Sequence, residues 1–169
     1  IDLAKLEREE PMQLFAHEAY DAIDSFFAKL DEVDFKDAFK ASFDILLKYD
    51  TLVGYLYRKQ ENLIVNLDNG ILTEFEDSLC KDAVKRHKIL NFATPQTDSK
   101  YNQSIDANEG PLMIVPFFDE ENTLVFLFKV TREDPFTDQE VNLVDSFSNL
   151  FKENSYLIGE PSCDLPTQQ

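Results

Sequence analysis

The residue types that most often carry chemistry are scarce in this chain, and their spacing defines no catalytic or metal site. The two cysteines are Cys80 and Cys163, which lie far apart and form neither a CxxC pair nor a disulfide framework. The two histidines are His17 and His87, and neither has an acid or a cysteine at a spacing that makes a convincing metal site. We therefore predict no metal ion and no cofactor.

Cys80 supports two interpretations. A thiol at the start of a helix has its pKa lowered by the helix dipole and becomes reactive. A cysteine can also be a small, weakly polar residue that packs against a sheet, and this is the interpretation we adopt.

No Ser/His/Asp arrangement is visible, and the carboxylates are too numerous for any pair to be singled out. We therefore expect that the chain is not an enzyme.

The net charge of the chain restricts its binding partners, and its apolar runs and first residues bear on its cellular location. Sixteen basic residues against 33 acidic ones give a net charge of −17, which repels phosphate backbones and anionic membranes. No apolar run approaches the ~18 residues that a membrane-spanning helix needs. No secretory signal opens the chain, and it begins with Ile1 rather than Met. We expect a cytoplasmic segment of a larger protein that binds neither nucleic acid nor membrane.

The apolar pattern predicts an α+β domain. Helical spacing, runs of β-forming residues and turn signals predict helices over residues 12–30, 35–47, 74–88, 101–105 and 137–158, and strands over residues 51–58, 62–67, 89–93, 112–118 and 123–131. The last helix has the best-marked start, because Thr137 and Glu140 stand at capping-box spacing. Two hairpins separated by helices predict an antiparallel sheet with helices packed on it. We expect a charged helical lead-in over residues 1–10, the domain over 11–160 and a mobile tail over 161–169.

One stretch of the chain resembles a known domain family. Residues 110–132 read GPLMIVPFFDEENTLVFLFKVTR, and residues 135–140 read PFTDQE. This order is similar to that of GAF domains, in which an apolar strand with Pro, an acidic turn, a second apolar strand and a Phe-Thr helix start follow one another. The resemblance covers about residues 33–158, with a PAS-like or other α+β sheet as the alternative. It implies a sheet of five to six antiparallel strands, with the N- and C-terminal helices on one face and a helix and loop covering the other.

The resemblance also implies a ligand pocket between the sheet and its covering segments, which are about residues 75–88 and 98–109. The candidate ligand-binding residues at matching positions are Tyr55, Asp68, Phe75, Cys80, Tyr101, Asn102, Asp106 and Met113. In the branch that binds cyclic nucleotides, a glycine-rich turn opens the covering helix, whereas this chain has Leu79-Cys80-Lys81-Asp82. Glu109 stands where that branch has a threonine, and a carboxylate that faces a phosphate lowers affinity. These departures disfavour cyclic nucleotides as ligands.

A second family pattern, Asn-Lys…Phe…Asp-Glu, is only partly kept. The matching residues are Thr131-Arg132, Phe136 and Asp138-Gln139-Glu140. From this match we predict an ion pair between Arg132 and Asp138 that braces the end of the last strand against the last helix.

The resemblance implies a regulatory or protein-interaction domain of a larger signalling or scaffold protein, with a pocket that is empty or filled by its own side chains. The alternative is a small-molecule sensor domain of a phosphodiesterase, cyclase or kinase. Sulfoxide reductases of the GAF type need several cooperating cysteines, which this chain lacks. GAF domains often associate through their first and last helices. We expect a protein partner, or a homodimer, on a face that contains Phe15, Phe27, Leu143 and Leu150.

Overall fold

A six-stranded antiparallel sheet forms the centre of the fold in a computed structural model that describes residues 17–107 and 110–158. The strands are β1 (Thr51–Arg58), β2 (Leu63–Asn66), β3 (Leu72–Glu74), β4 (Leu90–Phe92), β5 (Leu112–Phe118) and β6 (Leu124–Thr131). Their order across the sheet is β3-β2-β1-β6-β5-β4. The two predicted hairpins are β1–β2 and β5–β6, and they join where β1 pairs with β6. The predicted α+β sheet of five to six strands is confirmed.

Three helices cover one face of the sheet: α1 (His17–Leu30), α2 (Phe35–Leu46) and α5 (Asp138–Asn154). The start of α2 is capped by Asp34, whose side chain accepts from the amide of Asp37. The predicted capping box at the start of α5 is present, with Thr137 and Glu140 each accepting from the other's backbone. The terminal helices α1 and α5 lie side by side, and the rings of Phe26 and Phe151 meet edge to face with centroids 5.7 Å apart.

The other face is covered by α3 (Leu79–Arg86) and by α4 (Gln103–Asp106) with its flanking loops. The helix predicted over residues 74–88 was too long. Its first turn is delayed because the Ser78 side chain accepts from the amide of Lys81 and so fixes the N-cap. Glu74 instead lies in β3, where it pairs with Leu63 of β2. β3 is an edge strand of three residues that the sequence pattern did not predict. At its other end α3 stops at His87, which adopts a left-handed conformation.

The helix-side core is built mainly from phenylalanine rings. Phe39 lies at its centre, and its ring centroid is 4.6–5.0 Å from those of Phe26, Phe117, Phe126 and Phe128. Val115, Phe126 and Phe128 are fully buried in this core, whereas Tyr55 is half-buried on the opposite face. Edge-to-face and tilted ring pairs of this kind stabilise a core beyond the area they bury.

Gly54 in β1 is a position of close approach. It pairs directly with Phe128 of β6, and a Cβ atom built at Gly54 would lie 2.4 Å from a carbon of the Phe128 ring. No real side chain tolerates such a distance. The absence of a side chain at Gly54 therefore lets the Phe128 ring lie against the backbone of β1.

Strands β5 and β6 are covered on both faces, because every residue of β5 and all but the last of β6 are buried. Pro116 has no backbone N–H to donate to a neighbouring strand, so within a sheet it needs a bulge or an unpaired amide direction. It lies beyond the part of β5 that pairs with β4, and the pairing of β5 with β6 shifts between Phe117 and Phe118.

The predicted pair between Arg132 and Asp138 is wrong, because Arg132 binds Glu140. Both guanidinium nitrogens Nη1 and Nη2 donate to the Glu140 carboxylate, with Nη1 2.7 Å from Oε2. Glu140 is the third residue of α5, and its side chain folds back over the N-cap, where it also accepts from the amide of Thr137 at 2.9 Å. Asp138 is the first residue of the helix and is exposed. The brace between β6 and α5 is therefore present, but its acid is Glu140.

We expect replacement of Phe126 by Ala to lower the free energy of unfolding by about 3–5 kcal/mol, because it leaves a cavity among the rings of Phe35, Phe39 and Phe151. Urea denaturation measures this change, and Phe126→Leu, which keeps most of the volume, serves as the control with a loss of less than about 2 kcal/mol. A loss below about 1 kcal/mol for the Ala variant would contradict the assigned position of β6.

We expect Glu140→Gln to lower stability at pH 7 by about 1 kcal/mol, because it weakens both the Arg132 pair and the capping box. The hydrogen bond from Arg132 lowers the pKa of Glu140 from its ordinary value of 4.5 to about 2. A carboxylate with a lowered pKa stabilises the fold above pH 4.5 and loses that contribution as the pH falls towards 2. The difference in the free energy of unfolding between the native chain and the Glu140→Gln variant should therefore shrink as the pH falls from 4.5 towards 2. Denaturation curves recorded at several pH values measure this difference. Asp138→Asn is the matched control, and an equal effect there would refute the assignment.

Candidate functional site

The face of the sheet below α3 and α4 carries a second apolar cluster with buried polar groups inside it. Its fully or almost fully buried members are Ile64, Phe75, Leu79, Cys80, Ala83, Leu90, Ile105, Leu112, Ile114, Phe118, Leu124 and Leu127. We call the part of this cluster where α3 and α4 meet the sheet the lid site, and we define it by Tyr55, Leu79, Cys80, Asp106 and Lys129. It lies between the sheet and residues 75–88 and 98–109, where the family resemblance implies a ligand pocket.

Asp106 is the central polar group of the lid site. Its side chain is fully buried and accepts three backbone hydrogen bonds. Oδ2 accepts from the amides of Leu79 and Asn102, each at 2.8 Å, and Oδ1 accepts from the amide of Cys80 at 3.1 Å. Leu79 and Cys80 are the first two residues of α3, whose amides have no partner within the helix. Asp106 therefore places a negative charge at the positive end of α3, the position where helices commonly bind anions.

Lys129 brings a buried positive charge to the same site. It lies in the middle of β6, and only 7% of the residue is exposed. Its ammonium group donates to the carbonyl oxygen of Ile105 at 2.6 Å and lies 5.3 Å from the centre of the Tyr55 ring. The carbonyl and the ring each favour a cation, and they offset part of the cost of burying it. Lys129 thereby connects the sheet to the residue that precedes Asp106.

Cys80 is fully buried close to both of these charged groups. Burial, followed by the neighbouring charge of Asp106, raises the pKa of the Cys80 thiol well above its ordinary value, while Lys129 acts in the opposite direction. A neutral, buried thiol is a poor nucleophile. Cys80 therefore contributes packing to the apolar cluster of the lid site.

The remaining predicted residues on this face have mostly local roles. Phe75 is buried, and its ring meets that of Tyr57. Asn102 caps α4 through Ser104 and donates from its side chain to the carbonyl of Asp77, next to the start of α3. Tyr101 packs against the apolar cluster and donates to the side chain of Gln103. Tyr55, Phe75, Cys80, Tyr101, Asn102 and Asp106 therefore lie on one face of the sheet.

Two predicted ligand-binding residues lie elsewhere. Met113 is fully buried in the helix-side core, because alternation along β5 sends Leu112 and Ile114 to the lid face and Met113 to the opposite one. Asp68 lies in the turn after β2 and forms an ion pair with Lys36 of α2, on the helix side of the sheet. Neither residue belongs to the lid site.

Lys129 was not predicted as a site residue from the sequence. Its signal was present, since it is the single charged residue within the strand sequence LVFLFKVT, and the alternation of side chains places it on the same face as Leu127. A charge in the middle of a buried strand is uncommon unless the charge has partners.

The outer surface of the covering elements holds an open groove of about 620 Å³ between α3 and residues 99–103. Lys81, Lys85 and Lys100 line it together with Asp77 and Asp82. Lys100 and Arg86 both bind the Asp82 carboxylate, at 3.1 and 3.2 Å. Burial opposes ionisation of Asp82, but these two hydrogen bonds prevail and lower its pKa. The charges of the groove are thus largely paired with one another.

Neither metal sites nor membrane spans occur in the part of the chain that the structure describes. No three side chains of His, Cys, Asp or Glu in that part come together as metal ligands would. None of the helices there combines the length and the apolar character that crossing a bilayer requires. Cys163 and Glu109 lie outside the described residues, as do the predicted lead-in over residues 1–10 and the predicted tail over 161–169.

The comparisons with known proteins bear on the fold. Neither protein-family models nor curated protein sequences give a match. Among solved structures, the GAF domain of a phosphoenolpyruvate-protein phosphotransferase from Acinetobacter aligns with a TM-score of 0.63 at 12% identity, over 87% of this chain and 100% of that one. A putative GAF sensor protein from Burkholderia vietnamiensis aligns with a TM-score of 0.62 at 15% identity, over 83% and 94% of the two chains.

An enzyme is also among the similar structures, and it corrects one prediction. A free methionine-R-sulfoxide reductase from Neisseria meningitidis, solved with its substrate, aligns with a TM-score of 0.56 at 10% identity, over 80% of this chain and 82% of that one. The prediction that the chain is not an enzyme is therefore wrong, because catalytic proteins share this fold. The order of strands, the two covered faces and these alignments together show that the chain has the fold of a GAF domain.

Proposed function

We propose that the chain is a GAF-type regulatory domain of a larger signalling or scaffold protein, and that its lid site is filled by its own side chains. The observation that carries the proposal is the position of Asp106, whose carboxylate occupies the first two amides of α3. A GAF domain of a phosphotransferase and a GAF sensor protein are among the similar structures, which supports a regulatory or sensor role. A cytoplasmic setting belongs to the proposal, and the free thiol of Cys80 is consistent with it.

Regulation by such a domain needs a surface through which a signal passes, and we place it on α1 and α5. We call the outer side of this helix pair, around Phe27 and Leu143, the helical face. Both side chains are half-buried at the border of the helix-side core. Tyr156 and Leu157, which follow the end of α5, are 63% and 58% exposed. Apolar surface of this kind is commonly covered by a partner.

The helical face is narrower than the sequence suggested. Leu150 is buried in the helix-side core, because it points inward like Phe147 and Phe151, so it is not available to a partner. Phe15 lies outside the described residues. Of the four predicted residues, Phe27 and Leu143 therefore remain as the ones to test.

A small-molecule sensor is the second candidate function, and the groove between α3 and residues 99–103 favours it. A volume of about 620 Å³ is large enough for a small ligand. Its three lysines would suit an anion, although Lys100 and Lys85 already face Asp82 and Asp77 at 3.1 and 3.6 Å. A ligand there would have to compete with these pairs.

We expect calorimetry with cGMP or cAMP at roughly 100 μM to show no saturable binding. The amides of α3 already bind Asp106, and a second anion beside that carboxylate would be repelled. The Lys100→Gln variant is the control for the outer groove, since it removes a groove cation and leaves the lid site intact. Saturable binding in the micromolar range by the native chain would contradict the proposal, and its loss in the variant would place the sensor site in the groove.

We expect the chain at roughly 100 μM to form a dimer through the helical face, with a mass by light scattering above the 19.5 kDa of one chain. Phe27→Glu and Leu143→Glu should each restore the monomer, because a charge at a dry interface is costly. Ile71→Glu is the control, since Ile71 is 59% exposed and lies next to β3. A native chain that is strictly monomeric would exclude the homodimer and leave a different protein as partner. If neither Phe27→Glu nor Leu143→Glu then weakened binding of the chain to its partner protein, the proposal that the helical face is the partner surface would be refuted.

A further inference from the structure

The turn between β2 and β3 contains an asparagine followed by a glycine. Asn69 precedes Gly70, and it is the only one of the ten asparagines in the sequence that has a glycine after it. In such a pair the backbone nitrogen of the glycine can attack the side-chain carbonyl of the asparagine and expel ammonia. Glycine favours this attack because it has no Cβ atom that shields its nitrogen. The pair is therefore the position in the sequence most prone to this reaction.

The structure arranges the Asn69 side chain for this attack. Its Oδ1 atom accepts a hydrogen bond from the amide of Ile71 at 2.9 Å, so the side chain folds across the amide of Gly70, which lies between the two residues. The same hydrogen bond stabilises the negative charge that Oδ1 acquires when its carbon is attacked. Asn69 is exposed, so water reaches its side chain.

Two features of Gly70 slow the reaction. Its amide donates to the carbonyl oxygen of Asn66 at 2.8 Å, and the residue is buried. The nitrogen attacks only after this hydrogen bond has broken and the proton has left. A single backbone hydrogen bond is worth a factor of about 10 at most in such an equilibrium. We therefore expect the folded turn to react about 10-fold more slowly than an unstructured peptide of the same sequence.

We propose that Asn69 is a site of spontaneous deamidation, and that its isoaspartate product releases β3 from the edge of the sheet. The Gly70 nitrogen forms a bond to Cγ of Asn69 and gives up its proton, the Cγ–Nδ2 bond breaks, and ammonia leaves with that proton. Water then opens the cyclic imide. Cleavage of the new bond to Cγ leaves an aspartate, and cleavage of the original peptide bond leaves an isoaspartate, in which the main chain runs through Cγ.

β3 depends on this turn because few other contacts hold it. It is three residues long, and among the described strands it pairs with β2 alone. Ile71 and Leu72 are exposed, so burial of apolar surface contributes little to its position. Isoaspartate lengthens the main chain of the turn by one carbon atom, and the two strands then no longer meet in the same register. Aspartate leaves the main chain as it is, so β3 stays paired in that product.

The first test measures deamidation in the full chain at mildly alkaline pH, by mass spectrometry of its proteolytic peptides. Asn154 precedes Ser155 and donates from its side chain to the carbonyl oxygen of Leu150 at 2.7 Å, and it serves as the internal control. Asn69 should convert at least about 10-fold faster than Asn154, and about 10-fold more slowly than a peptide of residues 62–75. Asn69→Gln should remove the signal, because the longer side chain does not form the same ring.

The reaction has to occur in the folded turn and not only in unfolded chains. Phe126→Ala raises the unfolded fraction, so the rate at Asn69 should be almost unchanged in that variant if the folded turn reacts. A rate that rises in proportion to the unfolded fraction would overturn the site. A rate in the native chain no higher than that at Asn154, or more than about 100-fold below that of the peptide, would overturn it as well.

The second test follows β3 in the isoaspartate form, which ion-exchange chromatography separates from the native chain. The amides of Asn66 and Phe75 join β2 to the β3 segment, each with a donor–acceptor distance of 3.0 Å, and their hydrogen exchange should become at least about 10-fold faster. The amide of Leu79, in the lid site, should keep its native rate. Asn69→Asp is the matched control, since it adds the charge without the extra carbon atom and should exchange like the native chain.

Three results would overturn the release of β3. The first is native exchange at Asn66 and Phe75 in the isoaspartate form, and the second is an equal acceleration in Asn69→Asp. The third is a loss of protection at Leu79 as well, which would mean that the whole domain unfolds. Because the turn lies apart from the lid site and the helical face, each of these results is independent of the proposed function.

Discussion

The need to cover both faces of β5 and β6 is the constraint on which the other features of this structure depend. These two strands are apolar along almost their whole length, so a layer of helices on one side only would leave half of their side chains in water. The terminal helices and α2 cover one face with a cluster of phenylalanine rings. The other face falls to α3 and the short α4, and the charges of Asp106 and Lys129 become buried there because the covering layer has to close over them.

A thin covering layer has a different physical character from the helix-side core. The helix-side core gains its stability from large, interlocking phenylalanine rings. A cavity or a buried charge there would lower the stability of the fold. The lid face combines an apolar cluster with directed hydrogen bonds, which Asp106 accepts from the start of α3 and Lys129 donates to Ile105. The same sheet therefore has one face packed mainly by aromatic rings and one face whose apolar cluster contains buried charged groups.

The sequence predicted most of the fold but only part of the site, and the reasons are physical. The periodicity of apolar residues and helix capping are local signals, so the two hairpins and the start of α5 at Thr137 could be predicted. β3 was not, because a three-residue edge strand buries too little to leave a pattern. Asp106 was found through the family resemblance, whereas Met113 was placed on the wrong face and Leu150 on the surface, since their orientation depends on packing across layers. Arg132 pairs with Glu140 rather than with Asp138 because the capping box holds the Glu140 side chain near the start of α5, within reach of the guanidinium group.

Gly54 and Phe128 couple the two hairpins in a way that extends to the evolution of the fold. The Phe128 ring occupies the volume that any side chain at Gly54 would need, so these positions cannot both carry bulk. A substitution at one position would therefore be accepted only after the other had changed, and the intermediate with both side chains would be selected against. In homologous sequences the two positions should covary, with alanine or a larger residue in β1 accompanied by a smaller residue in β6. Such a pair would mark the junction of the hairpins even where the rest of the sequence has diverged beyond recognition.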